Sequence, residues 1–248
     1  MKILISGATS AIAQSTARTL LSQSDNPCHF VLLGRNEERL EMIANDLTAR
    51  GAESVFSIST DLANCDDIES HVDQAWNTLE SIDVAIIAQG TLPEQNEIQN
   101  SWTDIKAAYD INALSYMALM TALASKMETL KKGCIVVVSS VAGDRGRQSN
   151  YIYGSAKGAV SLFAQGLRNR LFKHGINVIT VKPGFVDTPM TDGMNKDGPL
   201  WSSPERVASD IVTAIDKNRS TVYTPGFWRL IMLVIQHIPD FIFKRLSL

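Results

Sequence analysis

Ser140, Tyr153 and Lys157 lie in the stretch SSVAGDRGRQSNYIYGSAK, which runs from Ser139 to Lys157. Tyr153 and Lys157 stand at a spacing of i and i+4 in a segment whose pattern predicts a helix, so they share one face. A phenol ordinarily ionises near pH ~10. An ammonium beside it favours the phenolate, so the expected effect of Lys157 is to lower the Tyr153 pKa toward working pH and suit it to acid or base work. Ser140 offers a hydroxyl to hold a substrate oxygen. Tyr151 is a decoy, because its i+4 neighbour is Ser155 rather than a lysine.

Alone, this spacing also describes an ordinary surface helix. The preceding run gives it weight: Cys134 to Val138 is apolar and β-branched and ends in Ser139-Ser140. In an open parallel sheet the ligand crevice lies beyond the carboxyl ends of the strands.

The elements that must position these groups start at Lys2 to Ser6, an apolar strand followed by Gly7 and by a predicted helix over Ala11 to Gln23. Strand, glycine turn and helix together present free N–H groups and a positive dipole end to a phosphate. Gly7, Thr9, Ser10, Ala11 and Ile12 are the candidate residues of that turn. Ala11 is its main departure from a glycine-rich form, and would be strained if its φ were positive.

A second strand, His29 to Leu33, ends in Gly34-Arg35. Gly34 followed by Arg35 leaves space and positive charge for a 2′-phosphate, so NADP(H) is favoured over NAD(H). A third strand, Ser54 to Ile58, precedes Asp61 and Leu62; Asp61 reads either as an adenine partner or as the cap of a helix over Asn64 to Leu79. Ile82 to Ala88 suits a buried parallel strand running into Gln89-Gly90, so Ala88 and Gly90 are placed beneath the cofactor.

Asn112 interrupts a long predicted helical region, Ser101 to Leu130, and needs a partner if buried; a kink or a water relay to the lysine would supply one. Ile176 to Val181 leads into Pro183, Gly184, Val186 and Thr188, with Thr188 and the Val186 backbone placed for a carboxamide. Asp192 to Leu200 is a candidate lid. A helix over Pro204 to Lys217 and a strand over Ser220 to Tyr223 complete seven strands separated by helices. That alternation predicts an α/β fold with a doubly wound parallel sheet.

The chain has 248 residues, enough for one substantial domain of this class, and a net charge of −3 with interspersed signs, which gives no reason to expect nucleic acid. Cys28, Cys65 and Cys134 are far apart and lack metal-ligand spacing, so reduced thiols in the cytoplasm and no metal are expected. A strand starting at Lys2 predicts no cleaved leader. From Pro225 to Leu248 (PGFWRLIMLVIQHIPDFIFKRLSL) apolar residues nearly surround the helix, broken by Pro239. This extension reads either as a helix buried on the core or in a subunit interface, or as an interfacial surface admitting a lipid-bearing substrate. His237 reads as a packed or rim residue.

Taken in order, Gly7, Asp61, Asn112, Ser140, Tyr153, Lys157, Pro183-Gly184 and Thr188 resemble the short-chain dehydrogenase/reductases over nearly the whole chain. The resemblance implies a single Rossmann-fold domain over 1–224, seven-stranded with helices on both faces, with 225–248 as its apolar extension. It implies hydride transfer at a carbinol or ketone carbon. Tyr153 would be the acid or base, Lys157 would lower its pKa and bind the nicotinamide ribose, Ser140 would orient the substrate oxygen, and Asn112 would hold a relay water. A homodimer or homotetramer is implied as well. Ala11, Ala13 and Ala88-Gln89-Gly90 depart from the family's glycines and its Asn-Ala-Gly.

SGATSAIA, SNYIYGSAKGAV and the tail FWRLIMLVIQHIPDFIFKRL are similar to the decaprenylphosphoryl-2-keto-erythropentose reductases. A lipid-linked ketosugar, with peripheral membrane contact through 225–248, is the expectation this adds. The alternatives are a ketoreductase for a steroid, acyl or xenobiotic carbonyl, and a non-catalytic dinucleotide-binding module.

Overall fold

The computed structural model describes residues 1–246; Ser247 and Leu248, which end the predicted extension, lie outside the described residues. The first half contains β1 (Lys2–Ser6), α1 (Ala11–Gln23), β2 (His29–Gly34), α2 (Glu37–Ala49), β3 (Ser54–Ser59), α3 (Ile68–Leu79) and β4 (Val84–Ile87). There follow α4 (Gln95–Ile98), α5 (Trp102–Tyr109), α6 (Ser115–Leu130), β5 (Cys134–Val138), α7 (Tyr151–Leu171) and β6 (Asn177–Pro183). The chain continues through β7 (Phe185–Val186), β8 (Trp201–Ser202), α8 (Pro204–Asp216), β9 (Thr221–Thr224), α9 (Trp228–His237) and α10 (Asp240–Phe243).

Seven strands form one parallel sheet in the order β3-β2-β1-β4-β5-β6-β9, as the alternation predicts. Alternate residues of each strand face opposite layers. Ile3, Ile5, Phe30 and Leu32 pack with Ile12 of α1, Leu40 of α2 and Ile211 of α8. Leu4, Val31 and Leu33 pack on the other face with Val72 of α3, Leu119 of α6 and Val160 of α7. Each such fully buried aliphatic side chain contributes about 1.5–3 kcal/mol. The winding direction reverses between β1 and β4, and that switch point opens a crevice at the strand ends.

Three local features differ from expectation. The region over Ser101 to Leu130 is two helices joined by a π turn, Asp110–Leu114, with Asn112 buried inside it. The helix expected from Asn64 begins instead as a 3₁₀ turn over Cys65–Asp67 and becomes α-helical at Ile68. Finally, β7 and β8 make a separate two-stranded parallel sheet, with Phe185 opposite Trp201. Pairs this short carry no alternating pattern for a sequence to display.

The segment after β9 is amphipathic rather than buried. Trp228 and Met232 of α9 are packed against Val141, while Leu230, Leu233 and Val234 are exposed. Among the described residues, no helix is long and apolar enough to cross a membrane.

Candidate active site

β5 delivers Ser139 and Ser140 to the crevice, and they separate there. Ser139 is buried, its hydroxyl donating to the Lys157 carbonyl at 2.9 Å and pairing with the Ser161 hydroxyl at 2.8 Å. Ser140 is half-buried; its Oγ accepts from the Ala142 N–H at 3.1 Å and lies close enough to the Tyr153 phenol to favour its ionised form. Tyr151 is exposed, so the decoy points away. The first turn of α7 is secured by a residue sequence reasoning missed: the buried Gln95 accepts the Ile152 N–H at 3.1 Å.

Lys157 is buried on α7 with no carboxylate partner among the described residues; its Nζ donates to Tyr116 Oη at 3.0 Å and to the Val138 carbonyl at 3.1 Å. Its Nζ stands 5.8 Å from the centre of the Tyr153 ring. Burial pushes the Lys157 ammonium down to about 7. Burial also pushes the Tyr153 phenol up to about 12, against an opposing effect of Ser140.

This corrects the expected lowering of Tyr153. Burial is the first cause of the shift on each group, and it acts against both charged forms.

Asn112 fulfils the expectation of a partnered amide, but through Thr91. Its Oδ1 accepts from the Thr91 N–H at 3.1 Å, and its Nδ2 donates to Thr91 Oγ1 at 3.4 Å. That pairing ties the π turn to the loop after Gly90. A Cβ on Gly90 would meet Asn112 Oδ1 at 2.7 Å and Lys157 Nζ at 3.7 Å, so Gly90, Asn112 and Lys157 converge. Tyr116, absent from the sequence reading, lies at the same place. An aromatic residue at core spacing on an apolar helix gives no outward sign of an engaged hydroxyl.

The cofactor side fits a dinucleotide. Gly7, at φ +74°, brings the turn against Gln89, and a Cβ there would stand 2.4 Å from the Gln89 nitrogen. Thr9 lends its carbonyl to Gln14 Nε2 at 3.1 Å. Ser10 makes no side-chain cap, and the first turn of α1 carries no acidic residue, so the N–H groups of Ala11 and Ile12 are available to an anion. Ala11 is helical and is not among the positive-φ residues, so the strain foreseen for it is absent.

Arg35 is exposed beyond β2 and makes no ion pair among the described residues. Asp61 is exposed and caps Ala63 N–H at 3.1 Å rather than a helix, while Leu62 and Ala88 are buried walls. Val186 is engaged through its carbonyl, which accepts from Thr191 Oγ1 at 2.8 Å; the Thr188 N–H donates to the same hydroxyl at 3.2 Å. These bonds brace the turn that carries the Val186 backbone and Thr188.

The far wall is built by the extension. Gly184, following Pro183, sits under the Trp228 indole so closely that a Cβ would approach Nε1 to 1.8 Å. Phe185 stacks on Trp201 at 5.2 Å and meets Trp228 edge-on at 5.5 Å between ring centroids. Arg145, from the loop after Ser140, donates to the carbonyls of Ile235 and Ile238 at 2.6 Å and Gln236 at 3.1 Å, reaches Asp240 at 2.9 Å, and lies over the Phe243 ring. Asp144 beside it is bonded by Lys182 and by Tyr223 at 2.8 Å. The loop after Ser140 and the tail are thus one packed unit. His237 is exposed, its Nδ1 2.7 Å from the Leu233 carbonyl.

Comparison with known proteins agrees with this geometry. Residues 1–198 match the family described as short chain dehydrogenase. An uncharacterized oxidoreductase of Mycobacterium tuberculosis is 32% identical over 247 residues, covering 98% of this chain and 96% of that protein. One from Streptomyces coelicolor is 32% identical over 246 residues, covering 98% and 95%. Among solved structures, a tryptophan variant of the actinorhodin polyketide ketoreductase with NADPH superposes with a TM-score of 0.81, at 20% identity, over 92% of this chain and 97% of that one. That likeness concerns the fold. The chain belongs to the short-chain dehydrogenase family of oxidoreductases.

Proposed function

We propose that this protein is an NADP(H)-linked reductase of a ketone carbonyl, with Ser140, Tyr153 and Lys157 as its catalytic residues. The observation that carries the reading is the convergence of those residues with Gly90 and Asn112 beside the open N-terminus of α1. Bound there, with its phosphates on the Thr9 to Ile12 turn and its 2′-phosphate on Arg35, NADP(H) would supply the hydride.

The chain's own part is positioning and proton transfer. Ser140 orients the carbonyl oxygen, and Tyr153, protonated at neutral pH because burial holds it high, gives that oxygen its proton. The unassigned N–H of Lys157 is left for the ribose. Asn112 fixes the loop after Gly90, through which the relay toward solvent would run.

The aromatic wall and the exposed apolar face of α9 and α10 support a bulky apolar substrate, of which a lipid-linked ketosugar is the preferred form. The same face supports contact of 225–246 with the cytoplasmic membrane surface. We also assign residues 1–224 to the catalytic domain, 225–248 to its extension, and a homodimeric or homotetrameric state.

Fluorescence titration with NADPH and NADH tests the cofactor. NADPH should bind more tightly, and Arg35→Ala should weaken NADPH by about tenfold, or about 1.4 kcal/mol, with NADH unmoved. Equal loss for both cofactors would remove Arg35 from the phosphate site; binding of neither would sink the enzyme reading.

A further inference from the structure

Tyr116 is fully buried on α6, yet its hydroxyl stands among three polar groups: the Gln89 carbonyl at 2.5 Å, the Val138 carbonyl at 3.0 Å and Lys157 Nζ at 3.0 Å. A phenol has one proton to give. The shortest contact takes it to Gln89, whose segment carries Gly90. The Val138 carbonyl is served by Lys157 at 3.1 Å, and the Tyr116 oxygen is then free to accept from Lys157. That one assignment serves both carbonyls and the phenol and leaves one N–H of Lys157 over.

The Tyr116 ring lies under the same ammonium, 4.2 Å from Nζ to its centroid. Lys157 therefore receives both an oxygen and a π face from one residue, at a site where burial disfavours its charge and, among the described residues, no carboxylate compensates.

We propose that Tyr116 is a positioning residue for Lys157: its hydroxyl holds the ammonium charged and aimed past Gly90, and couples it to the strand ends of β4 and β5. The proposal rests on the oxidoreductase reading for its effect on rate, but not for its effect on the lysine. A Tyr116 that merely filled the core would need only its ring.

The titratable groups facing Lys157 are Tyr116 from α6 and Tyr153 from α7 itself. β5 presents the Val138 carbonyl, and the turn after β4 presents Gly90. The Tyr116 phenol is held well above its ordinary range by burial and by Tyr153, so it stays a hydroxyl while Lys157 titrates.

Tyr116→Phe keeps the ring and removes the oxygen. In protein carrying ¹³C-labelled lysine, the Lys157 side-chain resonance, assigned by its loss in Lys157→Met, is followed through a pH titration without cofactor. Losing one hydrogen bond to a charged group should lower the Lys157 midpoint by about one pH unit. With NADPH and a ketone, the alkaline fall of kcat in the reduction direction should move down by the same interval.

A Lys157 midpoint that stays in place in folded Tyr116→Phe would overturn the proposal, as would a moved midpoint with an unmoved rate profile. Should the variant not fold, Tyr116→His is titrated instead. A neutral imidazole nitrogen can accept from Lys157, so the midpoint should stay within about half a unit of the parent, and a fall as large as that expected for loss of the oxygen would overturn the proposal. If the parent protein transfers no hydride at all while Tyr116→Phe still shifts the lysine, the oxidoreductase reading fails and the anchoring of Lys157 stands.

Discussion

The floor of the crevice and its far wall are built on opposite plans. At the floor, Ser139, Asn112, Tyr116 and Lys157 are buried and bonded to one another, to the strand ends or, for Asn112, to the loop after Gly90. At the wall, Phe185, Trp201 and the outer side of α9 leave large apolar surface open, with Leu230 67% and Val234 66% exposed. Arg145 is the main polar link between the two. Under the proposed function the contrast separates two jobs: chemistry needs groups fixed within fractions of an ångström, whereas recognition of an apolar substrate needs area.

Removing the phenol proposed to give the proton should produce the largest effect. Tyr153→Phe is expected to lower the rate of hydride transfer by about 10²- to 10⁴-fold with NADPH binding retained, read by steady-state kinetics beside a cofactor titration. An unaltered rate would detach the floor from chemistry.

Lys157→Met probes the floor through stability. The folded lysine sits at about 7 against its ordinary 10.5, so between those values the unfolded chain holds more protons and stability rises with pH. Below that window the folded protein carries the full cost of a buried ammonium. The methionine variant, measured without cofactor, should therefore unfold at higher denaturant than the parent near pH ~6, with the gain shrinking toward pH ~10. A gain that is flat with pH would mean the lysine is not buried as a charge.

Arg145→Ala cuts the link and should have the smallest of these effects on stability. Its bonds to three carbonyls outweigh its pair with the fully exposed Asp240, and their loss should cost about 2 kcal/mol in urea unfolding. Because the wall loosens and the floor does not, KM for an apolar ketone should rise more than kcat falls. An equal change in both would show that the two regions are not separable.

Much of the floor could be read from residue types because its spacing is local. Tyr153 and Lys157 share a helix face, and Ser140 ends a β-branched run, so each announces itself within a few residues. The sheet was legible for the same reason: its strands are short apolar runs bounded by turn residues.

What escaped depends on distance or burial. Tyr116 sits in a row with Leu119, Met120 and Leu123 that reads as core, which it also is. Arg145 bonds residues about ninety positions away, where no local pattern reaches. Burial, the first cause of the Tyr153 shift, has no local sign either, because a sequence shows which charges are near in the chain but not how much water is excluded around them. The π turn at Asn112 has no glycine or proline to mark it.

The Arg145 contacts to the end of α9 have a consequence for variation. They grip main-chain carbonyls, which every residue possesses, and Gly184 meets the tail from within through Trp228. Attachment of the tail is thus written in the backbone and in two inward positions. Substitutions at 230, 233 and 234 alter what the surface meets without loosening the surface itself, so this protein can change the company it keeps while the floor of its crevice stays as it is.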